Sequence, residues 1–213
     1  MPVEVEAKFR ADDPVPLEAL AAMSTLADAS LGPPRGVVEI DAYLDTVDGR
    51  LADARWACRL RDRDGALRLS LKGPAEPGGG GLIHRRPEVE GPASAIVDPT
   101  QWPPSEAREL LAQLSGGEPL LERFRLRQRR TEREVLVDDR PIGTLSLDDV
   151  TVLRDGRVEA GRLFTVELEL MPAADPSATV DLERLAAALD ARPGLVPDPR
   201  TKLEHALELL ASA

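Results

Sequence analysis

Acidic and basic side chains recur at alternate positions along this chain. Glu4, Glu6 and Lys8 form one such set; Arg59 and Arg61, Ser70 and Lys72, and Arg86, Glu88 and Glu90 form others. Ser146 and Asp148, then Glu167 and Glu169, complete the series. On a β-strand, side chains two apart share one face, about 7 Å from each other. The three Glu-x-Glu pairs therefore present hard oxygen ligands in groups, which suits Mg²⁺ or Mn²⁺. Arginine binds phosphate oxygens through paired N–H groups, and lysine does so as a point charge. A metal-bound polyphosphate is the ligand that needs both kinds of residue.

The elements around these residues read mainly as strands. Val3, Val5, Ala7 and Phe9 alternate with Glu4, Glu6, Lys8 and Arg10, a strict period of two. Positions 36–44 are a second strand. Positions 55–63 and 66–72 form a hairpin about Asp64-Gly65, a strong turn signal. A glycine-rich loop over 74–81 precedes a strand over 82–91. Strands follow over 120–130, 132–138, 142–153 and 161–170, the last two joined at Asp155-Gly156. Helices are expected over 17–29, 103–114 with Ser105 as a cap, 180–191 and 201–211.

Antiparallel sheets ordinarily bury an apolar face and leave the polar face in water. Here the charged alternation persists through strand after strand. If helices cover the apolar face, the charged faces must turn inward, and closing the sheet into a barrel achieves this while removing its edges. The expected fold is α+β: a closed eight-stranded antiparallel β-barrel with helices packed outside. Its interior would be a wet cavity holding a highly charged ligand, because dry unpaired charges are costly. No composition break marks a linker, so residues 1–213 read as one domain.

The bulk composition is compatible with this. The formal net charge of −11 argues against a nucleic-acid partner, which would require a basic face. One cysteine, Cys58, excludes an intramolecular disulfide framework and fits a reducing compartment. No stretch approaches the roughly 18 apolar residues of a membrane span. The N-terminus lacks a secretory pattern, so a cytoplasmic protein without a membrane partner is expected. The oligomeric state stays open, a homodimer being one option.

Taken in order, the charged segments resemble the CYTH superfamily, the triphosphate tunnel metalloenzymes. The hallmark Glu-x-Glu-x-Lys is Glu4-Val5-Glu6-Ala7-Lys8. It is followed by Tyr43-Leu44-Asp45-Thr46, Arg59-Leu60-Arg61, Leu71-Lys72-Gly73-Pro74 and Arg86-Pro87-Glu88-Val89-Glu90. Leu147-Asp148-Asp149-Val150, Glu167-Leu168-Glu169 and Lys202 complete the set. The resemblance implies an eight-stranded tunnel, a divalent metal and a small-molecule triphosphate substrate. By it, Glu4, Glu6, Glu167 and Glu169 are the candidate metal ligands. Lys8, Arg59, Arg61, Lys72, Arg86, Arg130 and Lys202 are candidates for phosphate oxygens. Glu88, Glu90 and Asp148 would hold a second metal, orient the basic residues or position water. Lys72, Glu6, Glu169 and Tyr43 are the candidate catalytic residues. The arginine-rich run 124–131 departs from the family pattern; Gln128 and Arg130 are assigned inward. The downstream position where an aromatic is expected is Arg133.

The reaction implied is in-line attack of water on the terminal phosphorus, with inorganic triphosphate the simplest substrate. Thiamine triphosphate hydrolysis, adenylate cyclisation and non-catalytic polyphosphate or nucleotide sensing remain alternatives. Gly78–Gly81 lacks the lysine of a phosphate-cradling P-loop. His84 and His205 have no metal-spaced partner and read as surface residues. Cys58 reads as a wall residue.

Overall fold

A computed structural model of the protein describes residues 1–78, 81–172 and 177–212. Twelve strands occur among them: β1 (Val3–Ala11), β2 (Thr25–Leu26), β3 (Ala29–Leu31), β4 (Arg35–Thr46), β5 (Ala57–Arg63), β6 (Ala66–Lys72), β7 (Glu76–Gly78), β8 (Ile83–Pro92), β9 (Leu120–Val137), β10 (Arg140–Arg154), β11 (Val158–Leu170) and β12 (Val196–Pro197). The helices are α1 (Val15–Ala21), α2 (Arg50–Asp53), α3 (Glu106–Ser115), α4 (Ala178–Asp190) and α5 (Lys202–Ser212). Strand order β10-β11-β1-β8-β6-β5-β4-β9, with β9 paired back to β10, closes an eight-stranded antiparallel barrel. Closure satisfies both edges of every long strand.

Local chemistry sets the hairpins. Asp64 and Gly65 both adopt positive φ, 55° and 81°, the conformation that matches the twist of a two-residue hairpin. Ser105 caps α3, its hydroxyl accepting from the Arg108 N–H at 3.2 Å. That helix seats directly on β8: a Cβ on Gly91 would lie 2.4 Å from Ser105 Oγ.

The apolar core lies outside the ring, where strand faces meet helices. Ala7, Phe9, Leu145, Leu147, Val166 and Leu168 pack against Leu17 and Leu20 of α1 and Leu182, Leu185 and Leu189 of α4. Leu60, Leu69, Leu71 and Val89 pack against Ala107 and Leu111 of α3, with Trp102 buried beside them. Cys58 belongs to this second cluster. A third cluster sits at one barrel end, where Tyr43, Phe124, Leu126, Val150 and Val152 meet Ala206, Leu203 and Leu209 of α5. The C-terminal helix thus covers that end.

Several elements depart from the sequence reading. The helix expected over 17–29 stops at Ala21, and β2 and β3 follow. The guanidinium of Arg133, on the outward face of β9, donates to the carbonyls of Gly32 (2.7 Å), Leu31 (2.9 Å), Ala21 (3.0 Å) and Met23. This tertiary claim on the last-turn carbonyl holds the chain in a helix end followed by a hairpin. The segments 120–130 and 132–138 form one strand because β9 pairs with β4 over 120–132 and with β10 over 125–137, so the expected break at 131 lies where both partners hold it. Part of the 74–81 loop is β7, paired with β8; residues 79 and 80 of that reading lie outside the described residues. Finally, His84 and His205 are not surface residues. Their exposures are 5% and 8%, and His205 Nε2 contacts the buried Asp198 carboxylate. No helix among the described residues is long and apolar enough to cross a membrane.

Candidate active site

Register fixes which charges meet inside the ring. Glu4 lies opposite Arg86, and Lys72 opposite Glu88. Glu6 lies opposite Glu169, and Lys8 opposite Glu167. Each pair shares the inner face because cross-strand neighbours point the same way. From α5, Lys202 enters the same space, 2.8 Å from Asp148 and 2.7 Å from Glu167.

Beneath the start of α5, Lys8, Arg59, Lys72, Arg86 and Lys202 surround a cavity of about 40 Å³ that also touches Tyr43, Glu167 and Thr201. Lys8 Nζ has no hydrogen-bond partner, although the side chain is only 6% exposed. Its nearest carboxylate, Glu6, is 3.8 Å away. Burial pulls the Lys8 pKa down against the attraction of Glu6. A buried donor left unmatched costs free energy, and an anion entering the cavity would satisfy it.

Beside this cavity, Glu4, Glu88 and Glu169 each offer a carboxylate oxygen, all within 4.8 Å of one another. Burial and the nearby Glu4 push the Glu169 carboxyl up to about 8. Burial also raises Glu4, but Lys72 and Arg86 outweigh it and hold that group at about 2. Three crowded carboxylates, one resisting ionisation, suit a hard divalent cation that keeps water in its remaining positions. Lys72 Nζ lies 2.5 Å from Glu4 and 3.3 Å from Glu88, an internal cation at the same spot. Ser70 donates to Glu88 Oε1 at 2.7 Å and fixes that carboxylate.

The remaining residues singled out from the sequence are distributed around this centre. Glu6 and Glu167 stay out of the carboxylate triad. Glu6 accepts from Arg86 at 3.0 Å, and Glu167 is held by Lys202 and Arg130. Asp148 accepts two bonds from Arg130, at 2.7 and 2.8 Å. Glu90 is exposed beside Arg68 at the rim. Arg61 is occupied by Asp41 through two bonds of 2.7 and 2.8 Å. Tyr43 stacks on Phe124, ring centroids 4.8 Å apart, and so belongs both to the cavity wall and to the apolar end cluster. Gln128 and Arg130 point inward, Gln128 donating to Asp41 at 2.7 Å.

Sequence reasoning did not place Glu39 or Asp41 in the site. Glu39 is fully buried, 3.2 Å from Arg61, 3.5 Å from Arg63 and 3.8 Å from Arg130. The available signal was their parity with Tyr43 on β4. A second opening, about 410 Å³, adjoins the cavity through Lys72 and Arg86 and is walled by Trp56, Ala57, Pro74, Pro199 and Leu203.

The CYTH domain pattern matches residues 2–189. The chain belongs to the CYTH domain family. No curated protein sequence matches it. Among solved CYTH-like structures, HpAC1 from Hippeastrum, a candidate adenylyl cyclase with a dominant triphosphatase activity, superposes with a TM-score of 0.65. It is 17% identical, with 96% of this chain and 95% of that one covered. A candidate adenylate cyclase from Bacillus halodurans gives 0.58 at 19% identity over 96% and 98%. The PH1819 protein of Pyrococcus horikoshii gives 0.55 at 20% identity over 96% and 98%. At these identities the likeness establishes the CYTH fold.

Proposed function

We propose that this CYTH protein is a divalent-metal-dependent hydrolase of triphosphate-bearing substrates, with inorganic triphosphate its simplest substrate. The observation that carries this reading is the juxtaposition of two half-sites. Five buried or half-buried cations, among them Lys8 with its unpartnered ammonium, converge on one cavity, and three carboxylates converge beside it. The dominant triphosphatase activity of HpAC1, a structural neighbour, supports the same direction.

Lys8, Arg59, Arg86 and Lys202 would bind phosphate oxygens. Ion pairs fill the bore, so phosphate oxygens would replace carboxylates as partners of Lys72, Arg86 and Lys202. Glu4, Glu88 and Glu169 would hold Mg²⁺ or Mn²⁺. The ion would neutralise charge developing on the phosphate oxygens. Lys72, released from Glu4 and Glu88, would donate to the diphosphate as the bond to the terminal phosphorus breaks. Water attacks from the opposite side, and its proton passes to solvent or a rim carboxylate. Glu6, Asp148 and Glu167 act by orienting Arg86, Arg130 and Lys202. Arg61 and Arg130 are held in place by Asp41, Asp148 and Glu39.

Trp56 and the apolar second opening favour a further reading, in which the triphosphate is attached to an organic group such as thiamine or adenosine. Phosphate release from triphosphate, thiamine triphosphate and ATP, with a cyclic-AMP readout and metal titration, tests both. Metal-dependent release from triphosphate supports the first. A Trp56→Ala variant that raises KM only for organic substrates supports the second. Tight triphosphate binding without turnover of any substrate would leave a sensor and refute hydrolysis.

A further inference from the structure

The arginine-rich run on β9 serves more than the tunnel. With Leu126, Gln128 and Arg130 turned inward, Arg125, Arg127 and Arg129 stand on the outer face of the barrel, and all three are exposed. At strand spacing they form a row about 14 Å long. Arg125 is paired with Glu122. Arg127 and Arg129 have no carboxylate partner among the described residues, in a chain whose acids outnumber its bases by 38 to 27. Across β10 lies Arg162, whose guanidinium is held by Asp149 at 2.7 Å and sits over the Phe164 ring. Arg127, Arg129 and Arg162 line a groove of about 200 Å³ with Asp149, Thr151 and Glu159.

We propose that this groove is a second phosphate-binding site, outside the tunnel, that takes linear polyphosphate. Within the groove, Arg127 and Arg129 present two uncommitted guanidinium groups about 7 Å apart along the strand, with Arg162 beside them, a linear spacing that matches successive phosphates of a chain better than a single anion. Guanidinium groups suit phosphate oxygens in particular. A nucleic-acid strand fits less well. The aromatic ring nearest the groove, Phe164, is covered by Arg162, and the neighbours across β4 are Val38 and Ile40, so no free ring offers a base a stacking surface. The preference for an inorganic chain rests on the triphosphatase reading; the existence of the basic groove does not.

The test is binding of fluorescently end-labelled long-chain polyphosphate to the full chain, followed by anisotropy over a salt series. Arg127→Glu/Arg129→Glu, with Arg127→Gln/Arg129→Gln as a gentler pair, should weaken binding about tenfold or more. The salt slope should fall by about one per arginine lost. Unchanged thermal melting would show that the fold survives. Triphosphate hydrolysis should be unaffected in both pairs, and Lys8→Ala should leave polyphosphate binding intact. Absence of wild-type binding, loss of it only on Lys8→Ala, or full displacement by short triphosphate would each overturn the proposal. Equal competition by a deoxythymidine oligomer would also overturn it, in favour of a nucleic-acid surface. If wild type binds the chain through Arg127 and Arg129 yet hydrolyses nothing, the outer site stands and the triphosphatase reading fails.

Discussion

Each charged side chain in the bore is defined by its partner more than by its type. Glu169 and Glu90 both belong to Glu-x-Glu pairs, yet one is crowded by carboxylates and the other rests beside Arg68 at the rim. Glu169→Gln should therefore reduce metal-dependent turnover by about 100-fold or more, the scale of losing one preorganised charged partner. Glu90→Gln should stay close to wild type. Kinetics under metal titration compare them directly. The raised pKa of Glu169 has a signed consequence for stability. Its carboxyl titrates near 8 in the folded chain against 4.5 for an unperturbed group. The folded state thus holds the extra proton between those values, and this contribution is lost as pH rises through about 8. Metal-free melting temperature should fall from pH 5 to pH 8 more steeply in wild type than in Glu169→Gln. Added Mg²⁺ or Mn²⁺ should stabilise most at the upper end. An identical pH profile in the two proteins would contradict the assignment.

At the level of strands and helices, β10 and β11 are held in contact by a glycine. A Cβ on Gly143 would lie 2.2 Å from the carbonyl oxygen of Glu169, where β10 carries a register shift. Gly143→Ala should force the backbone bearing Glu169 to move, lowering both melting temperature and metal-dependent activity. Ser105→Ala, which removes the cap of α3 far from the bore, should cost about 1 kcal/mol of stability and leave kinetics alone. Thermal melts paired with kinetics separate these cases. Much at this scale was legible beforehand. Strict alternation over 3–10 and the Asp64-Gly65 turn identified β1 and the β5–β6 hairpin. The helix over 17–29 was not legible correctly, because its apolar spacing continues through Leu26 and Ala29, which instead lie on short strands. What ends the helix is Arg133, more than 100 residues away in sequence. The members of the carboxylate triad were legible, Glu4 and Glu169 as metal ligands and Glu88 as a second-metal candidate, but their grouping was not. Glu-x-Glu parity shows which residues face inward, but the relative stagger of β1, β8 and β11 decides which of them meet.

For the molecule as a whole, the tunnel is a network of ion pairs built around one unmatched ammonium. Glu39, Asp41, Asp148 and Glu167 occupy its arginines and Lys202, while Lys8 is left without a hydrogen bond. Removing one member of a buried pair is costly because the other charge is left stranded. Lys202→Met should accordingly destabilise the chain by about 3–5 kcal/mol, on the scale measured for broken buried pairs, beyond any effect on turnover. Chemical denaturation checks this, and a change below about 1 kcal/mol would show the pair to be solvent-screened. A ligand that engages the folded bore alone should raise the melting temperature, by mass action. Magnesium plus triphosphate should do so in wild type and much less in Lys8→Ala.

The ring also has a direction in time. β1 is made before the other strands of the barrel, but its partner β11 is made some 160 residues later, after all of them. Until then Glu4, Glu6 and Lys8 lie on an unfinished seam, and long-range pairing of this kind is slow and prone to aggregation. A nascent chain stalled before residue 158 should be cut readily by protease whether or not triphosphate is present, whereas a chain extended past α5 and free to fold should be protected by the same ligand.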